Sequence, residues 1–143
     1  MTIRPMTSHD YPAVFSLWTS LDGVGMRSLD DSEEGIRKFL TRNPNTCFVA
    51  EEGSALAGVI MGGHDGRRGY IYHAAVDDAF RNRGIGSALA AAVEEAMGQE
   101  GIHKIALVCF ASNDLGNRFW DARGYSERTD LVYRNKSINP ENK

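Results

Sequence analysis

The sequence is short of the residues that staple or metallate small domains. It holds two cysteines, Cys47 and Cys109, and four histidines, His9, His64, His73 and His103, none at metal-ligand spacing from another. A disulfide framework is therefore excluded, no metal site is expected, and both cysteines read as reduced core residues of a cytosolic protein. Long apolar runs are missing too: the longest, Ile105 to Ala111, falls far below the ~20 residues that span a bilayer. The first residues, Met1-Thr2-Ile3-Arg4-Pro5, lack the basic-then-apolar layout of a secretion leader. Nor is there an excess of positive charge. Lys and Arg number 16 against 19 Asp and Glu, and the basic residues are scattered apart from Arg67-Arg68 and the pair Arg81 and Arg83. A nucleic-acid partner is disfavoured on that ground. No membrane partner is expected, and the location implied is cytoplasmic.

What is present has the composition of an ordinary globular protein, 42% hydrophobic and 24% charged over 143 residues. That length fits one core. Residues 1–135 read as a single domain and 136–143 as a polar tail that frays. Thr2 to Pro5 suits a short strand, and Ser8 or Asp10 caps a helix to about Leu21, with Val14, Phe15, Leu17, Trp18 and Leu21 at helical spacing. A second helix is expected from about Asp31 to Thr41, closed by Asn43-Pro44-Asn45. Three apolar segments, Thr46 to Ala50, Leu56 to Gly62 and Gly69 to Val76, are separated by turn residues and predict antiparallel hairpins. The strongest helix runs from Ser87 to about Gln99, with Leu89, Val93, Ala96 and Met97 as its buried stripe. Lys104 to Phe110 follows as a buried strand, Asp114 to Ala122 as a helix, and Tyr125 to Arg134 as one or two more strands. The fold class expected is mixed α/β: a mostly antiparallel sheet of about six or seven strands with helices on both faces.

Chemistry concentrates where the third apolar segment meets the long helix. Tyr70-Ile71-Tyr72-His73-Ala74-Ala75-Val76 leads through Asp77-Asp78-Ala79-Phe80 into Arg81-Asn82-Arg83-Gly84-Ile85-Gly86-Ser87. A loop that opens a helix presents unpaired N–H groups at the positive end of the helix dipole, which suits phosphate. Gly84 and Gly86 remove side chains where a diphosphate must approach, and Arg81 and Arg83 add positive charge. The alternative is a tight turn with helix packing and no ligand. A P-loop is excluded, because its four residues between glycines and its Lys-Ser/Thr are absent. A dinucleotide fingerprint is disfavoured, since Leu89 stands where its third glycine belongs and no acid ends the strand after the helix.

The stretch resembles the signature of the GNAT family of N-acetyltransferases, Arg/Gln-x-x-Gly-x-Gly/Ala, through Arg81-x-x-Gly84-x-Gly86. A second family motif is matched in order and spacing by Asn113, Trp120 and Gly124-Tyr125, and the resemblance covers about residues 2–135. Met61 to Gly69 further resembles a bacterial subgroup of small acetyltransferases of undefined acceptor. The resemblance implies the GNAT fold, acetyl-CoA as cosubstrate, and direct transfer to a primary amine in a ternary complex. It implies that the backbone of Ala74, Ala75 and Val76 binds the pantetheine arm. The diphosphate is implied to sit on Arg81, Asn82, Arg83, Gly84, Ile85, Gly86 and Ser87, with Asn113 and Trp120 completing the cofactor contacts. The sequence departs from the family twice: Trp120 replaces the tyrosine that protonates the leaving thiolate, and Val108 stands where relatives acting on protein N-termini carry a glutamate base.

By alternation along a strand, Tyr70, Tyr72 and Ala74 share one face while Ile71, His73 and Ala75 share the other. Tyr70 and Tyr72 are the candidate catalytic residues, relaying a proton or lining the acceptor pocket, and His73 reads as structural. The loop from Leu21 to Asp31, with Asp22, Arg27, Asp30 and Asp31, is expected to select the acceptor, a small-molecule or peptide amine. The alternative function left open is a CoA-binding module with little turnover. A homodimer is an option that the resemblance suggests.

Overall fold

The computed structural model describes residues Met1–Lys143. The first strand, β1 (Thr2–Pro5), is followed by a 3-10 turn at Ser8–Asp10 and then α1 (Tyr11–Thr19), which carries Pro12 in its first turn. Asp10 closes the turn rather than capping α1. Its carboxylate accepts from the Thr7 amide at 2.8 Å and pairs with Arg4 at 2.6 Å. The helix ends two residues earlier than its apolar spacing suggests, because the Thr19 and Ser20 hydroxyls bond back to carbonyls of the last turn. The second helix, α2 (Glu33–Arg42), is capped by Ser32, whose Oγ accepts from the Gly35 amide at 3.0 Å. Glu33 and Glu34 at its start and Arg42 at its end complement the helix dipole.

Strands β2 (Cys47–Glu52), β3 (Ala55–His64) and β4 (Gly69–Val76) form consecutive antiparallel hairpins. Helix α3 (Ile85–Gln99) then crosses over to β5 (Ile105–Leu107), which pairs parallel with β4, and α4 (Asp114–Ala122) follows. The sheet order is β1-β2-β3-β4-β5. Alternation along the strands builds two cores. On one face Val14, Leu17 and Trp18 of α1 and Ile36 and Leu40 of α2 pack on Cys47, Val49, Val59 and Met61. On the other, Ile85, Leu89, Val93 and Met97 of α3 pack with Trp120 of α4 on Ile60 and Ile71. Each such side chain, taken fully out of water, contributes about 1.5–3 kcal/mol. No helix is long and apolar enough to cross a membrane.

The expected mixed α/β class, with helices on both faces, is the one observed, but the sheet has five strands. The strand expected at Lys104–Phe110 is reduced to Ile105–Leu107, and it is not buried: Val108 and Phe110 are 57% and 50% exposed. Strand β5 loses its ladder partner where β4 diverges from it, so the remaining residues have nothing to pair with. No strand forms over residues 125–134 either. That segment runs across the surface, and the tail is pinned rather than frayed. The Ser28 amide donates to the Lys143 carbonyl at 2.8 Å, and the amides of Leu29 and Asp30 donate to Asn142 Oδ1 at 3.0 and 3.1 Å.

Helix α3 approaches β3 where the strand has no side chain. A Cβ on Gly62 would stand 2.7 Å from the Thr46 carbonyl oxygen and 2.9 Å from Val93 Cγ1, and neither backbone nor helix has room to yield. Gly98, in the last turn of α3, has open space around it. Gly62→Ala is expected to destabilise the fold by about 1–3 kcal/mol through overpacking. Gly98→Ala is expected to stabilise it by about 0.5 kcal/mol through helix propensity. The shift of the urea midpoint, opposite in sign for the two variants, checks both.

Candidate active site

The site is built on one irregularity. Val59 faces Ala75 and Met61 faces Tyr72, so His73 and Ala74 together oppose Ile60: a β-bulge. His73 takes φ 48°, a left-handed conformation unusual for a residue with a side chain. The indole of Trp18, wholly buried, holds it there: Nε1 donates to the His73 carbonyl at 3.1 Å, and the two rings meet edge to face at 5.0 Å. Pairing of β4 with β5 stops at Ile71–Leu107, immediately before the bulge. The rest of β4, including Ala74, Ala75 and Val76, runs free of β5, and a cleft opens between the two strands.

The bulge also overturns the alternation expected from sequence. Ile71 packs in the α3 core, while Ala75, four residues on, packs in the α1–α2 core. His73, expected on the face opposite Tyr72, lies on the same side. It contacts Trp18 of α1, while Tyr72 meets Phe39 of α2 edge to face at 5.7 Å. Tyr70 and Tyr72 lie ring against ring at 4.5 Å.

After β4, Asp77 caps a 3-10 turn (Asp78–Phe80), its side chain accepting from the Ala79 amide at 2.9 Å. Asn82 and Gly84 are both left-handed, at φ 64° and 78°, and curl the loop into the start of α3. The backbone N–H groups from Asn82 through Ser87 make no hydrogen bond within the protein. Six successive donors are thus left free at a helix N-terminus. Arg81 pairs with Asp78 at 2.5 Å, and the Arg83 guanidinium lies 5.3 Å from the Phe80 ring centre. The two glycines serve differently from the sequence expectation. Gly84 supplies the left-handed turn, whereas the bare face of Gly86 meets the Phe119 ring, a Cβ there standing 3.1 Å from Cε1.

Across the cleft, Asn113 caps α4, its Oδ1 accepting from the Gly116 amide at 2.9 Å. The loop between α1 and α2 rests on this end of the molecule. A Cβ on Gly23 would stand 3.0 Å from Asn113 Nδ2, and one on Gly25 3.0 Å from Phe110 Cζ. Trp120 is buried in the α3 core, edge-on to Phe119 at 4.8 Å and to Tyr125 at 5.0 Å. Its surroundings are those of a core side chain. His64 is tied to Glu100 at 2.9 Å and accepts from the Gly66 amide. The thiol of Cys47 is pushed up to about 12 by burial, and that of Cys109 is also raised by burial, so neither is an activated nucleophile. Three contributors went unread in the sequence: Trp18 as a hydrogen-bond donor, Phe39 beside Tyr72, and Tyr133, which reaches the two tyrosines from the C-terminal segment. Asp31, by contrast, was visible as a charge in the loop before α2.

A sheet split at a bulge, with a run of free N–H groups on the helix that follows, defines the class: the acetyltransferase fold of the GNAT type. The profile of the Acetyltransferase (GNAT) family matches residues 11–125; the chain belongs to that family and is an N-acetyltransferase. It is 37% identical over 138 residues to an acetyltransferase of Pectobacterium atrosepticum, covering 96% of each chain. It is 35% identical to one of Photorhabdus laumondii, covering 90% of this chain and 88% of that one. Among solved structures it resembles Ard1 from Thermoplasma volcanium, with a TM-score of 0.75, 26% identity, and coverage of 86% and 80% of the two chains.

Burial pushes the Tyr70 phenol up to about 12, with Tyr133 and Tyr72 adding to the effect. Tyr72 is raised by burial first and then by Tyr133 and Asp30. Both are protonated at neutral pH, a state in which a phenol can donate a proton. Because the fold holds the Tyr70 proton more tightly than the unfolded chain does, its contribution favours folding below the ordinary phenol range near 10. That contribution is lost as pH climbs from about 10 towards 12. Spectrophotometric titration is expected to show a tyrosinate component with a midpoint near 12 that Tyr70→Phe removes.

Proposed function

We infer that the protein moves the acetyl group of acetyl-CoA to a primary amine by direct attack in a ternary complex. The observation that carries this reading is the run of unpartnered N–H groups from Asn82 to Ser87, set at the mouth of the β4–β5 cleft. Those donors fit a diphosphate, and the unpaired edge of Ala74 to Val76 fits an extended amide-bearing arm, which would complete the ladder that β5 leaves. When bound, the thioester supplies an activated acyl carbon.

The chain's own groups supply the rest. Backbone N–H groups by the bulge would polarise the thioester carbonyl, and Asn113, the cap of α4, would stand at the acetyl end. Tyr72, 43% exposed, is the donor best placed to meet a departing thiolate, with Tyr70 behind it. The face formed by Tyr70, Tyr72 and Phe39, with Gly23 to Asp31 across from it, receives the amine.

Calorimetric titration with acetyl-CoA tests it. The wild type is expected to bind at about micromolar Kd, and Gly84→Asp at least ~10-fold more weakly, a loss of about 1.4 kcal/mol or more. A carboxylate there faces the donors; nothing lies within 4 Å of a Cβ on Gly84, and Asp is among the few residues that adopt its left-handed φ of 78°, so circular dichroism is expected to show the variant folded. Absence of binding by folded wild type would overturn the reading.

A further inference from the structure

We propose that His73 is the base that takes the proton from the acceptor ammonium, with Asp31 as its positioning residue; this rests on the transferase reading above. The bulge is what brings His73 to the acceptor face, between Tyr72 and the Ala74–Val76 edge assigned to the thioester arm. There its Nε2 lies 2.8 Å from Oδ1 of Asp31, a carboxylate only 5% exposed. The other carboxylate oxygen accepts from the Arg27 amide at 2.6 Å, and the Asp31 carbonyl accepts from the Tyr11 hydroxyl at 2.8 Å. Asp31 is thus fixed at three points.

An ionised carboxylate only accepts hydrogen bonds, so Nε2 of neutral His73 carries the proton and Nδ1 presents its lone pair. Nδ1 makes no hydrogen bond within the protein. The one fully buried side-chain nitrogen or oxygen without a partner is Nε of Arg123, so Nδ1 of His73 is not sealed from solvent, and its side chain is 17% exposed. A carboxylate fixes the tautomer of the histidine base in hydrolytic triads in the same way, although there it binds Nδ1 and leaves Nε2 as the base. A left-handed φ at a histidine, held by Trp18, is backbone strain of the kind that persists at functional positions.

The other groups on this face do not compete. Tyr70 and Tyr72 keep their protons above neutrality, the Asp30 carboxylate accepts from Asn142 Nδ2 at 2.8 Å, and Val108 has no proton to move. The step balances without a further reactant. The acceptor ammonium gives one proton to Nδ1, directly or through one water. The neutral amine nitrogen then forms the C–N bond to the acyl carbon while the C–S bond breaks. Tyr72 gives its phenol proton to the thiolate sulfur and regains one from the second amine N–H, and the imidazolium returns its proton to solvent.

Two measurements on the full chain test this. Nitrogen-15 NMR of the imidazoles at neutral pH is expected to show His73 as the Nε2–H tautomer, and Asp31→Asn to mix the tautomers. Neutral His73 protonated on Nδ1 would overturn the proposal whatever the acceptor. Turnover is then followed as thiol release from acetyl-CoA, with ethanolamine as the ammonium probe and hydroxylamine as a probe already neutral at pH 7. His73→Gln and His73→Asn, the second chosen because Asn tolerates a left-handed φ, are expected to bind acetyl-CoA as the wild type does. Their kcat/KM for ethanolamine is expected to fall ~100-fold or more and to lose its acidic limb, with the hydroxylamine rate within a few-fold of wild type. His73 itself meets Asp31 and Trp18; Arg27 and Tyr11 bind Asp31, and Tyr72, its neighbour on β4, has Asp30 and Tyr133 beside it. The limb is assigned to His73 only if Tyr72→Phe retains it. Equal losses with both amines, or an unchanged pH profile, would overturn the inference. Failure of wild type to bind acetyl-CoA would instead overturn the transferase reading beneath it.

Discussion

One hydrogen bond organises this molecule: the Trp18 indole to the carbonyl of His73, reaching from α1 to the middle of β4. It holds a bulge that costs backbone strain and would otherwise relax into regular pairing with β3. Three consequences follow from that single displacement. Strand β4 turns away from β5 and leaves an edge unpaired. The pattern of inward and outward side chains inverts, so that Ala75 joins the α1–α2 core. And His73 arrives on the same side of the sheet as Tyr70 and Tyr72.

The two helical layers divide the labour. On the α3 side, glycines in β3 let the helix settle close to the sheet, and Gly86 lets Phe119 of α4 settle against the start of α3. This fixes the loop from Asn82 to Ser87, whose N–H groups then cost no reorganisation when an anion arrives. On the α1–α2 side the packing is more polar where it meets the cleft. Asp31 is buried but fully engaged, and raised phenols line the approach. One face is therefore suited to holding a charged cosubstrate rigidly, the other to moving protons.

Much of this was legible in the residues. The helices α2, α3 and α4 and the hairpins from β2 to β4 follow from apolar spacing and turn residues, which report local backbone preference. The errors fall where pairing partners decide. Lys104 to Phe110 has the composition of a buried strand, yet only three of its residues pair, because β4 leaves. Residues 125–134 have strand-like composition and form none, and the tail is held by Ser28 and Asp30, more than a hundred residues away in sequence. Trp120 reads as a substituted acid in the motif but serves as core, since its ring finds Phe119 and Tyr125 first.

The sequence by itself determined the loop of free N–H groups before α3, and the family. Free N–H groups at a helix start, and the glycine whose φ curls the chain into them, are properties of contiguous residues. What the tertiary structure decided is the chemistry next to that loop. Whether His73 faces the acceptor depends on the register between β3 and β4. Whether Asp31 orients it depends on how α1, α2 and their loop dock on the sheet. A periodic pattern of side chains cannot announce its own interruption: the residue that holds the bulge, Trp18, lies 55 positions from the carbonyl it binds.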